Sequence, residues 1–222
     1  MPKPSDKHRI LLVDDHPLFR EGLRQMIDRL PGLVVCGQVP SAAAALKAVA
    51  ELKPDLVLVD ISLDGTDGIE LIKDLKARDD DLPLLVISMH NESLYAERAL
   101  RAGALGYVMK SEPARTVKAA IFKVLAGDVF LSDKMSGSVL ARVVHGKQGS
   151  TASPLEKLSD RELQVFQMLG EGKPTRQIAE ELGLTIQTIH SFRTRIKDKL
   201  AFANATELVL HAIQWVREQA PH

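Results

Sequence analysis

From residue 9 to about 126, short uninterrupted apolar runs alternate with stretches whose apolar positions recur every three to four residues. The runs at 10–13, 33–39, 56–59, 84–87 and 106–109 have the length and β-branched content of buried strands. The stretches at 18–30, 42–52, 68–76, 94–101 and 113–126 carry the helical period. Pro17 suits a first turn, Ser41 an N-cap and Gly103 a helix end. Strand and helix in alternation predict right-handed crossovers. The expected fold is therefore α/β, a doubly wound five-stranded parallel sheet of the flavodoxin-like kind with both faces covered.

The pattern changes after residue 126. A short helix is expected over 132–145, and 146–154 (Gly-Lys-Gln-Gly-Ser-Thr-Ala-Ser-Pro) is polar without any period, as a tether is. Beyond Leu158 only helical stretches follow, at about 160–170, 175–182, 186–200 and 205–218. The chain thus divides into an α/β domain over 8–126, a linker over 127–154 and a small all-α domain over 155–219.

In a parallel α/β sheet, ligands bind beyond the carboxyl ends of the strands, and here the distinctive polar residues stand at those ends. Asp14 and Asp15 follow the first run, Asp60 the third, Ser88 the fourth and Lys110 the fifth. Clustered carboxylates repel one another unless a cation joins them, and oxygen donors of this kind suit Mg²⁺. A carboxylate can also attack phosphorus and form an aspartyl-phosphate, with a lysine and a hydroxyl placed for the phosphoryl oxygens. Any one of these residues alone reads more simply as a turn, cap or solvated side chain. Their joint order at four strand ends points to a phosphoacceptor.

In the all-α part, Ser159 and Glu162 have capping-box spacing. Thr175 is placed to cap a helix carrying Ile178, Ala179 and Leu182. Gly183-Leu184-Thr185 then makes a three-residue turn into the next helix, as in a helix-turn-helix. On that next helix Ile189, Phe192, Ile196 and Leu200 share one face. Gln187, Ser191, Thr194, Arg195 and Asp198 lie opposite, with His190 on a flank, offering groups that can read major-groove base edges. Lys173, Arg176, Arg193, Lys197 and Lys199 are candidate phosphate contacts, with Thr175 beside them. The last helix, capped by Asn204, carries Leu208, Val209, Ala212, Ile213 and Val216, a face for dimerisation or for the domain's own core.

Charge looks at first like an objection. The 222 residues hold 29 Lys and Arg against 29 Asp and Glu, which is no signature of a polyanion-coating protein. The halves are also balanced, −1 over 1–146 and +1 over 147–222. The asymmetry is local: Arg193, Arg195, Lys197 and Lys199 against Asp198 give one helix a charge of +3. Modest non-specific DNA affinity is expected, with tight binding dependent on dimerisation. No apolar run reaches membrane-spanning length and the polar first nine residues are no secretory signal, so a cytoplasmic protein without a membrane partner is expected. Cys36, the one cysteine, among Leu33, Val34, Val35 and Val39, reads as a small core residue.

Val13-Asp14-Asp15-His16-Pro17, Leu58-Val59-Asp60, Val86-Ile87-Ser88 and Gly103-Ala104-x-Gly106-Tyr107-x-x-Lys110 together resemble the receiver domain of two-component response regulators, over about 8–126. Leu158-Ser159-x-Arg161-Glu162, Ile178-Ala179-x-x-Leu182 and Thr188-Ile189-x-x-x-Arg193-x-x-Ile196-x-x-Lys199-Leu200 resemble the LuxR-type DNA-binding domain. The whole chain is similar to a NarL/FixJ-type response regulator. That resemblance implies no enzyme of its own substrate but a transcription regulator, with Asp60 phosphorylated by a sensor histidine kinase. It implies Mg²⁺ held by Asp15, Asp60 and the Ser62 carbonyl, with Asp14 in the outer shell. Ser88 and Tyr107 take the positions of the family's switch pair, Tyr107 moving inward on phosphorylation, and Lys110 that of the phosphate-binding lysine. Double-stranded DNA, a second copy and RNA polymerase are the other implied partners. The chain departs from the family pattern at Asp64, where proline is common, at Met89, where a small residue is common, and at His190 and Phe192, where many relatives have lysine and histidine.

Two rival readings differ in class. Asp60-x-Ser62-x-Asp64-x-Thr66 superficially resembles the signature of haloacid dehalogenase-type phosphatases, but Ser62 stands where their acid–base aspartate belongs. Alternatively, the helical domain docks on a protein rather than on DNA.

Overall fold

The computed structural model describes residues 7–63, 66–89, 92–132, 135, 137 and 154–219. Most of the helix expected over 132–145 and most of the tether fall outside these residues, as does Asp64. By its contacts the chain divides into two compact units, Met1–Gln148 and Gly149–His222.

The first unit holds β1 (His8–Val13), α1 (Pro17–Asp28), β2 (Leu33–Val39), α2 (Ala42–Leu52), β3 (Leu56–Val59) and the short β4 (Ser62–Leu63) and β5 (Thr66–Asp67). It continues with α3 (Gly68–Arg78), β6 (Leu84–Ser88), α4 (Glu92–Arg101), β7 (Gly106–Met109) and α5 (Ala114–Leu125). The five-stranded parallel sheet runs β2-β1-β3-β6-β7, the doubly wound order expected from the alternation. The antiparallel pair β4–β5 was not expected: two-residue strands are too short to show a period.

The sheet is apolar on both faces because helices cover both. Ile10, Leu12, Leu56, Leu58, Leu85, Ile87 and Val108 pack with Leu23 and Ile27 of α1 and Val117, Ile121 and Val124 of α5. The alternate residues Leu11, Val57, Val59, Leu84 and Val86 point the other way and are also fully buried. Cys36 corrects its expectation in degree, since β2 is the edge strand and leaves it half-buried. Burial pushes its thiol up, so the reactive thiolate is disfavoured.

Local signals account for the helix starts. Ser41 caps α2 through Ala44 N–H, and Pro17 opens α1. Lys53 ends α2 in the left-handed conformation at φ 47°. Gly22 lies within α1, where a Cβ would meet nothing within 4 Å. Gly22→Ala is therefore expected to stabilise this unit by about 1 kcal/mol, the helix-propensity difference between the two residues. Chemical denaturation checks this.

After α5 the chain returns to the sheet. Phe130 N–H donates to Leu105 O at 2.8 Å and Phe130 O accepts from Tyr107 N–H at 3.1 Å, a parallel bridge beside Gly106 on β7. Two residues on, the Ser132 amide donates to Glu92 Oε1 of α4 at 2.9 Å, and its hydroxyl donates to Glu92 Oε2.

The second unit opens on a single 3₁₀ turn, Pro154–Lys157, followed by α6 (Asp160–Gly170), α7 (Thr175–Glu181), α8 (Ile186–Lys199) and α9 (Ala205–Gln219). The capping box of Ser159 and Glu162 is formed, Thr185 caps α8 through Thr188 N–H, and Asn204 accepts from Glu207 N–H at 2.9 Å. Thr175 is not a cap: Pro174 takes that position and Thr175 is the first helical residue. Proline's fixed φ and lack of an N–H suit a helix entry, which moves the boundary by one residue. Leu163, Phe166, Leu169, Ile178, Leu182, Ile189, Ile196, Leu208 and Ala212 are buried in this unit. Among the described residues no helix is long and apolar enough to cross a membrane.

Candidate functional site: an acidic pocket and a helical face

Sheet order and register build the pocket. The strand order reverses between β1 and β3, where a crevice opens at the carboxyl ends. Val13 pairs with Val59, so the next residues, Asp14 and Asp60, emerge side by side. Asp60 N–H donates to Val13 O at 2.8 Å, and Lys110 N–H to Ser88 O at 2.8 Å, carrying the fifth strand's end to the same rim.

Four of the expected side chains converge there. Lys110 Nζ lies 2.7 Å from Asp14 Oδ2 and 2.6 Å from Asp60 Oδ2, with the lysine side chain only 4% exposed. Asp60 Oδ1 accepts from Ser62 N–H at 3.1 Å. Asp15 is half-buried at the same end, and Asp14, Asp15, His16 and Asp60 each offer a donor atom within 4.8 Å of the others. Burial pushes the Asp60 carboxyl up to about 6, against the opposing pull of the Lys110 ammonium. Three carboxylates with one ammonium leave a net negative pocket of hard oxygen donors, the donor chemistry that Mg²⁺ requires.

Ser88 and Tyr107 also meet. Tyr107 is 1% exposed and already inward, its hydroxyl hydrogen-bonded to Ser88. Burial raises the phenol well above its ordinary range. The phenol fills apolar space beside buried Tyr95, and the Ser88 hydroxyl satisfies its polar end.

Several supporting residues escaped the sequence reading. Phe19 lies under the lysine, with Lys110 Nζ 4.6 Å from its ring centroid. The Arg20 guanidinium donates to the Asp14 carbonyl. Asp67 caps α3 through Ile69 N–H at 2.9 Å. Gly68 follows, where a Cβ would lie 2.6 Å from Ile61 Cα and closer still to the Asp60 carbonyl oxygen. The Asp67-Gly68 pair was a visible signal for a tight strand-to-helix entry; Phe19 and Arg20 carried none, since their contacts are tertiary. Met89 is 66% exposed at the strand end after Ser88.

In the second unit the candidate DNA-contacting residues separate into two groups. Gln187, His190, Ser191, Thr194 and Arg195 are exposed along α8, with Lys197 half-buried beside Asp198. The Ser191 and Thr194 hydroxyls donate to the carbonyls of Gln187 and His190, which still leaves each hydroxyl able to accept. The others have partners within the domain. Lys199 Nζ lies 2.6 Å from Glu162 Oε2, which is buried at the α6 cap. Burial alone would raise the Glu162 carboxyl, but Lys199 and Ser159 outweigh it and hold it low. Arg193 donates to Thr175 Oγ1 at 2.8 Å, Lys173 pairs with Glu181 and Glu171, and Arg176 with Glu180.

The expected dimer face is also largely internal. Leu208 and Ala212 are fully buried, and Val209, Ile213 and Val216 half-buried. Gly170 of α6 allows α9 close enough for its Cα to face Ala212 and Val216. Leu208 and Ala212 are therefore core residues of the unit in this state.

Residues 10–122 match the model of the response regulator receiver domain, and 156–212 that of bacterial regulatory proteins of the luxR family. The chain belongs to the LuxR-family response regulators. The regulator is 38% identical over 206 residues to the transcriptional activator protein ExaE of Pseudomonas putida, covering 92% of this chain and 95% of ExaE. It is 33% identical to the transcriptional regulatory protein LiaR of Bacillus subtilis, over 92% of this chain and 96% of LiaR. Its fold matches that of RcsB from Salmonella enterica serovar Typhimurium, solved bound to promoter rprA in the presence of the phosphomimetic BeF3-. That match has TM-score 0.64 at 23% identity and covers 93% of this chain and 98% of RcsB. These relatives are regulators of transcription, so the phosphatase reading falls.

Proposed function

We propose that Asp60 accepts a phosphoryl group from a sensor histidine kinase and that this controls pairing of two copies on double-stranded DNA. The observation that carries the reading is the placement of Asp60, fixed at the strand-order reversal between Asp14 and the buried ammonium of Lys110. An Asp60 oxygen attacks phosphorus, the P–O bond forms as the phosphohistidine P–N bond breaks, and the departing imidazole takes up a proton. Lys110 neutralises charge on the incoming group. Asp15, Asp60 and the Ser62 carbonyl, supported by Asp14, would hold Mg²⁺, which would supply charge neutralisation for the phosphoryl oxygens.

Ser88 couples the pocket to the rest of the domain. Its hydroxyl bonds to Tyr107 here, and a phosphoryl group on Asp60 competes for the same hydroxyl. Tyr107 would lose that partner and α4 with β7 would repack, biasing a two-state element. The strand-like segment at 130–132 is bonded to both Tyr107 N–H and Glu92, so the change reaches the start of the linker directly.

On DNA, Gln187, His190, Ser191, Thr194 and Arg195 face the major groove, with Lys197, Lys173, Arg176 and Arg193 toward phosphates. Dimerisation doubles the half-sites and raises affinity without new contacts per copy. RNA polymerase is the candidate partner downstream, and the cytoplasm the compartment. The test is titration of the full chain against genomic fragments at two salt concentrations, with and without prior treatment with acetyl phosphate and Mg²⁺. Treatment is expected to label Asp60 and to tighten specific binding, and binding should weaken as salt rises. Absence of label on Asp60 overturns the phosphoacceptor reading. Absence of DNA binding in both states favours a protein partner for the helical unit.

A further inference from the structure

The lysines and arginines expected to meet DNA differ in what already holds them. Lys173, Arg176, Lys197 and Lys199 face carboxylates, and Arg193 donates to the Thr175 hydroxyl. Among the described residues no ion pair engages Arg195. Its guanidinium lies against a ring instead, with Cζ 5.7 Å from the Phe192 centroid. The helix explains the contact, since side chains three apart are neighbours and each leans back over the preceding turn. Phe192 is available because it sits at the edge of the apolar face of α8. Ile189 and Ile196 on that face are fully buried, whereas Phe192 is only half-buried and keeps part of its ring for a neighbour.

A guanidinium carries its N–H donors around its edge, so an ion pair occupies the edge while a ring takes only the face. The paired cations must release a carboxylate to meet DNA. Arg195 releases nothing, and the ring restrains a long side chain before DNA arrives, which lowers the ordering cost of binding. Arg195 also continues the exposed row of Gln187 and Ser191 at four-residue intervals along α8. Guanine alone presents two acceptors, O6 and N7, side by side in the major groove, which match two donors of that edge. We infer that Arg195 reads a guanine in the bound site and that Phe192 is the positioning residue that keeps its donor edge free to do so. This assignment rests on the reading of α8 as the helix that faces the major groove.

The test selects the preferred duplex from a random-sequence library with the full chain, treated with acetyl phosphate and Mg²⁺. Affinity is then measured for that duplex and for copies in which each guanine in turn becomes 7-deazaguanine, which lacks the N7 acceptor. Wild type is expected to lose about tenfold at one or more of these positions. Arg195→Met keeps the aliphatic stem without the donors, and it should lose the response at one of them. Phe192→Leu keeps an apolar side chain without the aromatic face. It should shrink the response at that same guanine about two- to fivefold, and Phe192→Tyr should restore it. The response is a ratio between two duplexes for one protein, so a variant that merely folds less well leaves it unchanged. Wild type indifferent to every replacement, or Arg195→Met keeping every wild-type response, overturns the guanine readout. An equal loss by Arg195→Met on every duplex, with the salt slope reduced by about one, marks a phosphate contact and overturns it too. Phe192→Leu with the full wild-type response overturns the positioning role. If wild type binds no duplex at all, the groove-facing reading of α8 falls and the guanine readout falls with it.

Discussion

Asp60→Asn is expected to make the receiver unit more stable at pH 8 in the absence of divalent cations, while abolishing phosphodonor labelling. Asp60 is 2% exposed and its carboxyl is raised from an ordinary 3.8 to about 6, with burial the largest cause. A folded-state value above the unfolded one means that the folded chain binds more protons between about pH 4 and 6. Stability therefore falls as pH rises through that window, and the full cost is present above it. A shift of about two units corresponds to at most ~3 kcal/mol. The amide removes this cost but deprives Lys110 of one of its two carboxylates, so a net gain of about 1–2 kcal/mol remains. Urea denaturation of both proteins at pH 8 and pH 4 measures it, and the advantage should vanish at pH 4. An Asn variant no more stable at pH 8 would show that the Lys110 pair fully offsets the burial of the charge. Added Mg²⁺ should narrow the gap at pH 8, because it stabilises only the form that binds it.

The second large effect is predicted for a residue with no chemistry at all. Ala is normally about 1 kcal/mol better than Gly inside a helix. At position 170 the sign should reverse. A Cβ there would lie 2.8 Å from the Ala212 carbonyl carbon, nearer still to its oxygen, and would press on Val216 of α9. Backbone cannot rotate aside as a flexible side chain can, so α6 and α9 must part, and Gly170→Ala is expected to cost about 2–4 kcal/mol. The chain's single tryptophan makes the measurement specific. Trp215 lies on α9 with its ring centroid 5.8 Å from that of Phe166, so its fluorescence follows the unfolding of this unit. An unchanged midpoint would mean that α9 is not held as closely as the glycine implies.

What could be read from the chain depended on how local its cause was. The five sheet strands were legible because a strand buried on both faces must be a continuous apolar run, and the strand-end residues were legible because each interrupts such a run. Ser41, Ser159 with Glu162, Thr185 and Asn204 were recognisable caps because the group each satisfies lies within three residues. Thr175 failed because Pro174 opens that helix and the threonine hydroxyl is taken by Arg193, eighteen residues away. The same limit hid the engagement of Lys199 with Glu162 at the α6 cap, 37 residues away. The buried placement of Tyr107 was not legible, because which rotamer fills a cavity depends on neighbours such as Tyr95 that no local pattern reveals.

The bridge at Phe130 has a further consequence for how the chain can be divided. β7 is the last strand of the sheet, and an open strand edge is a row of unpaired amides and carbonyls ready to recruit another chain. Phe130 takes up one such carbonyl and one such amide, at Leu105 and Tyr107. The approach is close: a Cβ at Gly106 would lie 3.0 Å from the Phe130 carbonyl oxygen. A fragment cut just after α5 would lose this cover and present β7 as a template for aggregation. Residues 127–132, though they lead out of the α/β unit, act as the guard on its sheet edge.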